Sequence, residues 1–587
     1  MGKITRVLVW AVGLSFAAQG AQATGDEFSS AVYWGDTHVH TSNSNDAGRY
    51  TVLVGPEEAY RFARGEEVDT DWGSRVRLVR PLDFLVVADH AENMGVLNGM
   101  RAADPASGGK ANTKPRKVAS TPFENEAFTR SVWQRNCAVA DRLNQPGVFT
   151  ALIGYEWTPH PKGNNLHRVV VFKDGADKAA RVLPFSASDS VDVEDLWAYM
   201  ASYEKKTGGS VLAIPHNANM SNGLMFALNT YTGKPLTRAY AATRSRWEPL
   251  SEITQLKGAA EAHPALSPND EFANYRLWDQ GNMWAKQGVA GPNAKKDSML
   301  PHEYARSALK LGLELDVQLG VNPFKFGAIG GTDSHTGLPT TWNDSPVYKR
   351  DVVENKGPSY APRKPSQVGQ MVWEQTAGGL AAVWAATNTR DGLFDAMARK
   401  ETYATTGPRV TVRLFAGWDF VAADAESEDL AVAGYTKGVP MGGDLTRGPK
   451  GKAPTFLVRA TRDPVGANLD RIQIIKGWRD PAGDLREQIY NVALADGRAP
   501  GPDGKVALLG NTIEKSTYTN SIGDPELSVV WRDPDFDAKE RAFYYARVLE
   551  IPTPRWTDFA SLGVDASPKF PMSIVERAYT SPIWYTP

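Results

Sequence analysis

The sequence predicts an α/β fold with its polar residues gathered at strand ends, followed by a β-rich C-terminal region. Three observations predict it. Short continuous apolar runs alternate with helical patterns up to Arg409. Nearly every run ends in a histidine or an acid. From about residue 410 the helical patterns give way to short alternating strands between Gly- and Pro-rich turns. Runs without polar alternation read as strands buried on both faces, and their alternation with helices reads as a parallel layout. Polar residues at the C-terminal ends of such strands are where a barrel places its active site.

The runs follow in order. Pro81–Ala88 precedes Asp89-His90, and Phe149–Tyr155 precedes Glu156. His167 opens Arg168–Phe172, and Ser210–Pro215 precedes His216. Leu250–Leu256 follows, then Phe326–Gly331 before Thr332-Asp333-Ser334-His335. Helical patterns cover Val191–Tyr203 and Pro301–Leu319, and Thr389 is placed to cap a helix over Arg390–Lys400. Strands are expected at Val410–Phe415, Thr455–Thr461, Arg471–Lys476 and Phe543–Leu549. The organisation expected is an α/β barrel over residues 30–409, with insertions near 91–148 and 258–322, and a β-rich region over 410–587 packed on it.

Composition narrows the function. With 42% hydrophobic and 22% charged residues the 587-residue chain has material for a large core, which excludes disorder as its main state. Its 65 basic and 67 acidic residues leave no basic excess, which argues against general nucleic-acid binding. Cys137 is the one cysteine, so an intrachain disulfide and a thiolate zinc cluster are excluded. Lys3 and Arg6, the apolar run Val7–Ala18 and Ala21-Gln22-Ala23 have the order of a cleaved signal peptide over residues 1–23. Export to the periplasm or the exterior is therefore expected, and no later stretch is long enough for a transmembrane helix.

Of nine histidines, six stand in the strand-end clusters: His38, His40, His90, His167, His216 and His335. In His38-Val39-His40 the two imidazoles fall on one side of an extended chain, because strand side chains repeat every two residues. Asp333-Ser334-His335 repeats that spacing with a carboxylate, and Asp46 and Glu156 add two more acids. Imidazole and carboxylate donors without thiolate suit Zn²⁺, Mn²⁺ or Fe²⁺. Nine donors exceed the need of one open catalytic ion and suffice for two or three divalent metal ions. Clustered ions of this kind support hydrolysis by an activated hydroxide.

Trp34-Gly35-Asp36-Thr37-His38-Val39-His40-Thr41 with Asp46, then Ala88-Asp89-His90, Glu156, His167, His216 and Asp333-Ser334-His335, resembles the PHP (polymerase and histidinol phosphatase) superfamily. Glu252–Gly258, Glu261–Pro264, Leu266–Phe272 and Tyr403–Arg409 look like its exported branch, domain of unknown function 3604. The resemblance implies a distorted (β/α)7 PHP-type barrel with a two- or three-metal site. It implies His38 and His40 as the first ligand pair, His90 and Glu156 next, with Glu156 bridging two ions. His167 and His216 follow as single ligands, and Asp333 with His335 as the last pair. The family often has histidine where this chain has Asp46.

Three divalent ions set against Asp46, Glu156, Asp333 and one hydroxide leave a centre of about +2, which suits a phosphoester. Two ions leave it near neutral, which suits a carboxylic or carbamic ester. Lys257, His263 and Arg409 are candidates for gripping the small-molecule ester substrate or protonating its leaving group. The alternative to an enzyme is an extracytoplasmic metal- or ligand-binding protein without catalysis.

Overall fold

In the computed structural model the described residues are 28–587 without 50–51, 71–72, 74, 104–124, 286–289, 340–377, 502–504, 511–512, 515–516 and 555–572. The leader assigned to residues 1–23 lies outside them. The apolar runs form strands. In chain order these are β1 (Ala31–Val39), β2 (Phe84–Val87), β3 (Thr150–Trp157), β4 (Arg168–Phe172), β5 (Val211–Pro215), β6 (Leu250–Gln255), β7 (Gly327–Gly330), β8 (Leu380–Ala385) and β9 (Thr402–Thr405). Every residue of β2 to β9 is buried, as runs without polar alternation require.

The helices between them include α1 (Pro56–Ala63), α2 (Glu126–Leu143), α3 (Val193–Thr207), α4 (Arg238–Trp247), α5 (Ala305–Leu319) and α6 (Arg390–Ala398). Side chains cap them where the backbone N–H groups would be left bare. Asn125 accepts from Phe128 N, Asp192 from Glu194 N and Thr389 from Gly392 N. α3 and α5 stop at Gly208 (φ 63°) and Gly320 (φ 70°), whose left-handed conformation glycine adopts without strain.

The sheet runs β5-β4-β3-β2-β1-β8-β9. Only part of it is parallel. β1, β2 and β3 are parallel neighbours, and β6 and β7 form a separate parallel pair. β4 runs antiparallel to β3, β5 to β4, β8 to β1 and β9 to β8. The reason at β3–β4 is the connection between them, which holds a single 3₁₀ turn at Pro161–Gly163 and no crossover helix. A parallel return needs a dozen or more residues, so the chain reverses. The β6–β7 pair packs beside β5 and β9 without a ladder to either. Among the described residues no ladder closes the sheet: the fold shown is a mixed α/β sheet, and the expected (β/α)7 barrel is not shown.

The sheet continues past Arg409. The C-terminal strands are β10 (Thr411–Gly417), β11 (Thr455–Thr461), β12 (Leu469–Arg479), β13 (Leu485–Leu494), β14 (Glu526–Arg532), β15 (Arg541–Glu550), β16 (Arg577–Thr580) and β17 (Ile583–Tyr585). β9 pairs with β16, β16 with β15, β15 with β12, and β12 with β13. β10, β11 and β14 make a smaller sheet with Gly438–Pro440.

A buried ion network ties these strands to the segment between β6 and β7. Asp270 accepts from Arg547 on β15 at 2.7 and 2.9 Å and from Arg306 on α5 at 2.8 Å. Glu261 meets the same two guanidiniums, and Gln473 accepts from Arg547 at 2.9 Å. Burial pushes the Asp270 carboxyl up, but Arg547 and Arg306 outweigh it and hold the group well below the usual carboxylate range. Asp270→Ala would remove one of the three carboxylates, Asp270, Glu261 and Glu487, that face two buried guanidiniums, a loss of roughly 3–5 kcal/mol. The expected outcome is a lower urea midpoint for this variant; an unchanged midpoint would mean that the network adds nothing to the junction.

Candidate metal centre

β1 delivers the first pair. His38 and His40 are both buried, and their Nε2 atoms lie 3.1 Å apart. The Nδ1–H of His38 donates to Glu252 on β6 at 3.1 Å, and Nδ1 of His40 meets Ser44 Oγ at 3.1 Å. An imidazole that spends its N–H on a carboxylate presents a lone pair at the other nitrogen. The loop after β7 is stitched alongside: Asp333 N donates to the His38 carbonyl at 2.9 Å and His40 N to the Ser334 carbonyl at 2.8 Å. Asp36 holds the same junction, accepting from His38 N at 2.9 Å and Thr332 N at 3.0 Å. Asp333 takes φ 53°, a left-handed turn that a non-glycine residue adopts at a cost and that recurs at functional sites. Gly331 permits the close approach, since a Cβ there would stand 2.9 Å from the Cβ of His38 and collide with Glu252.

Glu156, at the end of β3, is the hub. Its Oε2 lies 3.2 Å from His40 Nε2 and 3.4 Å from both His38 Nε2 and His90 Nε2. Its Oε1 lies 2.7 Å from His167 Nδ1 and 3.1 Å from His216 Nε2. His90 reaches it because a parallel bridge joins His90 to Glu156 beyond the end of β2. The reversal between β3 and β4 returns His167 to the same place. Asp333 Oδ1 lies 3.2 Å from His40 Nε2, and Asp46 Oδ2 lies 2.5 Å from His335 Nε2 and 3.4 Å from His90 Nε2.

All nine predicted ligands therefore converge. Two sets share no residue: His38, Glu156 and His216, and His40, His90 and His335. A third set, His38, His40 and Asp333, draws on both. Donor atoms around one ion with bonds near 2.1 Å are spaced roughly 3.0–3.4 Å apart, close to the separations here.

The donor chemistry fits cations. The Nδ1–H of His335 donates to the Asp333 carbonyl at 2.7 Å, so its Nε2 lone pair points at the Asp46 carboxylate. Two electron-rich groups at that distance repel unless a positive charge joins them. His167 Nε2 and His216 Nδ1 are buried with no hydrogen-bond partner, an arrangement that costs free energy. Burial pushes His167 down to about 3 and His216 to about 4, against the pull of Glu156, so both are neutral and fit to ligate near pH 7. Burial lowers His38 too, but Glu252 and Glu156 outweigh it and raise the group to about 9. Glu156 itself is pushed up by burial and held well below its ordinary range by His90, His216 and His167.

Of the three other candidates, Lys257 alone meets the centre, through an ion pair from its Nζ to Asp333 Oδ2. His263 spends both ring nitrogens locally: Nε2 donates to Asp279 at 2.9 Å, and Nδ1 accepts from Ala265 N at 3.1 Å. Neither nitrogen is left for a substrate. Arg409 donates to the Arg80 and Pro81 carbonyls at 2.8 and 2.9 Å. That places it before the start of β2, at the opposite end of the strand from Asp89-His90. Sequence reasoning passed over Glu252, Gln255 and Ser44, which orient His38, Asp333 and His40. An acid inside a fully buried strand was the available signal for Glu252. For Asp36 it was the period of two shared with His38 and His40.

The family model described as "Protein of unknown function (DUF3604)" matches residues 27–121 and 107–587. The chain belongs to the DUF3604 family. No curated protein matches it. Among solved structures it is similar to a two-domain protein from Bacteroides vulgatus, described as containing a predicted PHP-like metal-dependent phosphoesterase, at 11% identity and a TM-score of 0.30. That match covers 93% of this chain and 95% of the other.

Protons and metal compete for the same lone pairs. At pH 7–8 the metal-free His38, raised to about 9, carries a proton that a ligating imidazole must lose. Metal uptake should therefore release a proton, and affinity should rise with pH up to about 9. Glu252→Gln removes the largest charge that raises His38, so it should reduce the release, and as a loss of ligand support weaken binding by about 10–100-fold. Calorimetry of Mn²⁺ or Zn²⁺ binding in buffers of different ionisation enthalpy measures both effects. Equal proton release in the two proteins would refute the role given to Glu252.

Proposed function

We propose that this chain is an exported metal-dependent hydrolase of phosphoesters, in the manner of the PHP superfamily its motifs resemble. The observation that carries the reading is the unbalanced donor set, above all the His335 lone pair against the Asp46 carboxylate. His38, Glu156 and His216 would hold one divalent ion, and His40, His90 and His335 another. Asp46, His167 and Asp333 complete these sets or admit a third ion. In the barrel-like arrangement this reading favours, the β6–β7 pair occupies the gap between β5 and β9.

When bound, such ions supply an activated water near neutral pH and stabilise charge on the reacting oxygens. The chain's own residues do the rest. Glu156 turns Oε2 towards His38, His40 and His90 and Oε1 towards His167 and His216, so it touches members of both sets. Glu252, Ser44 and the Asp333 carbonyl hold His38, His40 and His335 in the orientation that aims Nε2 inward. Burial of His38, His40 and Glu156 excludes bulk water, while Asp46 and His90 remain the partly open side. Hydrolysis adds the oxygen of a water to phosphorus and breaks the ester P–O bond. One water proton leaves with the alcohol, and the other stays with phosphate or solvent according to pH.

Paired His38→Ala and His40→Ala substitutions should remove bound metal and turnover together, read by elemental analysis and by hydrolysis of p-nitrophenyl phosphate, bis-p-nitrophenyl phosphate and p-nitrophenyl acetate. Turnover that survives in the metal-free double variant would end the reading. Preference for the acetate would move it to carboxylic esters. For export, the expected N-terminus of the secreted protein is Thr24; a start upstream of Thr24 would contradict cleavage after Ala23.

A further inference from the structure

We infer that Lys257 is the substrate-charge reader of this centre, contacting a non-bridging anionic oxygen and favouring phosphate esters over neutral ones. The inference rests on the hydrolase reading above and names the residue that would recognise the charge of its substrate. Among the described residues, Lys257 is the one lysine or arginine within ion-pair distance of Asp46, Glu156 or Asp333. Its side chain is 18% exposed while that of Asp333 is 2% exposed, so Lys257 is the more open member of the pair.

The backbone beneath it is fixed. Lys257 sits in the turn of a hairpin that pairs Gln255 with Gly258. Gly258 takes φ 97°, and a Cβ there would collide with the Arg276 carbonyl. Asn219 Nδ2 donates to the Lys257 carbonyl at 3.3 Å from the loop after His216. The two oxygens of Asp333 are divided: Oδ1 faces His38 and His40, and Oδ2 takes Lys257. Gln255 Nε2 donates to the same Oδ2 at 2.8 Å. The ammonium can therefore move to a substrate oxygen without leaving that carboxylate oxygen bare. A compact, mobile point charge of this kind suits phosphate oxygens, and a neutral ester offers it no anion.

The test compares the metal-loaded wild type, Lys257→Ala and Lys257→Arg. It reads metal content, kcat/KM on the same three p-nitrophenyl esters, and calorimetric binding of inorganic phosphate. Charged hydrogen bonds of this type correspond to about a ten- to hundredfold effect. Lys257→Ala should lose that much on the two phosphate esters and less than about threefold on the acetate. Metal content should be unchanged, phosphate should bind about tenfold more weakly, and Lys257→Arg should recover part of each loss. Equal losses on all three esters, or metal loss in both variants, would overturn the inference and leave Lys257 as a support for Asp333. If the fully metallated wild type cleaves none of the esters, the hydrolase reading fails by itself. Phosphate affinity then decides for Lys257: weakening in Lys257→Ala sustains the role, and unchanged affinity overturns it.

Discussion

A buried carboxylate ringed by five imidazole nitrogens dominates this protein. Glu156 lies within 3.4 Å of ring nitrogens from His38, His40, His90, His167 and His216, and nearly all of these groups are sealed from solvent. Packing so many donors together costs desolvation and lone-pair repulsion, and no hydrogen bond among them can satisfy every atom. The fold accepts that cost at one place and surrounds it with supports: Glu252, Ser44, Asp36 and Gln255 each hold one member in position. Such an arrangement is unfavourable as a core and favourable as a cage for cations.

The sheet explains how residues so far apart in sequence arrive there. Parallel β1, β2 and β3 end on the same side, which brings His38, His40, His90 and Glu156 together. The reversal into β4 and again into β5 places the start of one strand and the end of the next beside that edge, so His167 and His216 join from opposite chain directions. β7 adds Asp333 and His335 by a loop bound to β1 rather than by a ladder to the main sheet. The antiparallel strands thus serve the same end as a parallel barrel would. The C-terminal strands extend the sheet away from this edge and meet the α5 segment through Asp270, Arg306 and Arg547.

Much of the fold was legible in local pattern. The buried strands stand out because a strand covered on both faces needs an uninterrupted apolar run, and each such run became a strand. The helix beginning after Thr389 was legible from its cap, although it ends at Ala398 rather than Lys400. Strands β8, β13, β14, β16 and β17 are not among those expected: β13 and β14 are only partly buried and carry mixed side chains, while β8, β16 and β17 are buried but short. Their pairing depends on neighbours distant in sequence. Within the centre, His263 and Arg409 looked eligible as isolated polar residues. Only their partners, Asp279 and the carbonyls before β2, show that they are already engaged.

By itself the sequence determined the chemistry: which donors exist, that thiolates are not among them, and that they stand at strand ends with a spacing of two. Those properties are local, set by residue type and by the geometry of extended chain. Tertiary structure decided the rest. Strand direction, the grouping of six of the nine donors into two sets that share no residue, the choice of Glu252 as the partner of His38 and the selection of Lys257 over Arg409 all depend on contacts between remote segments. Such contacts follow from loop length, burial and competition for hydrogen bonds, which no short window of sequence contains.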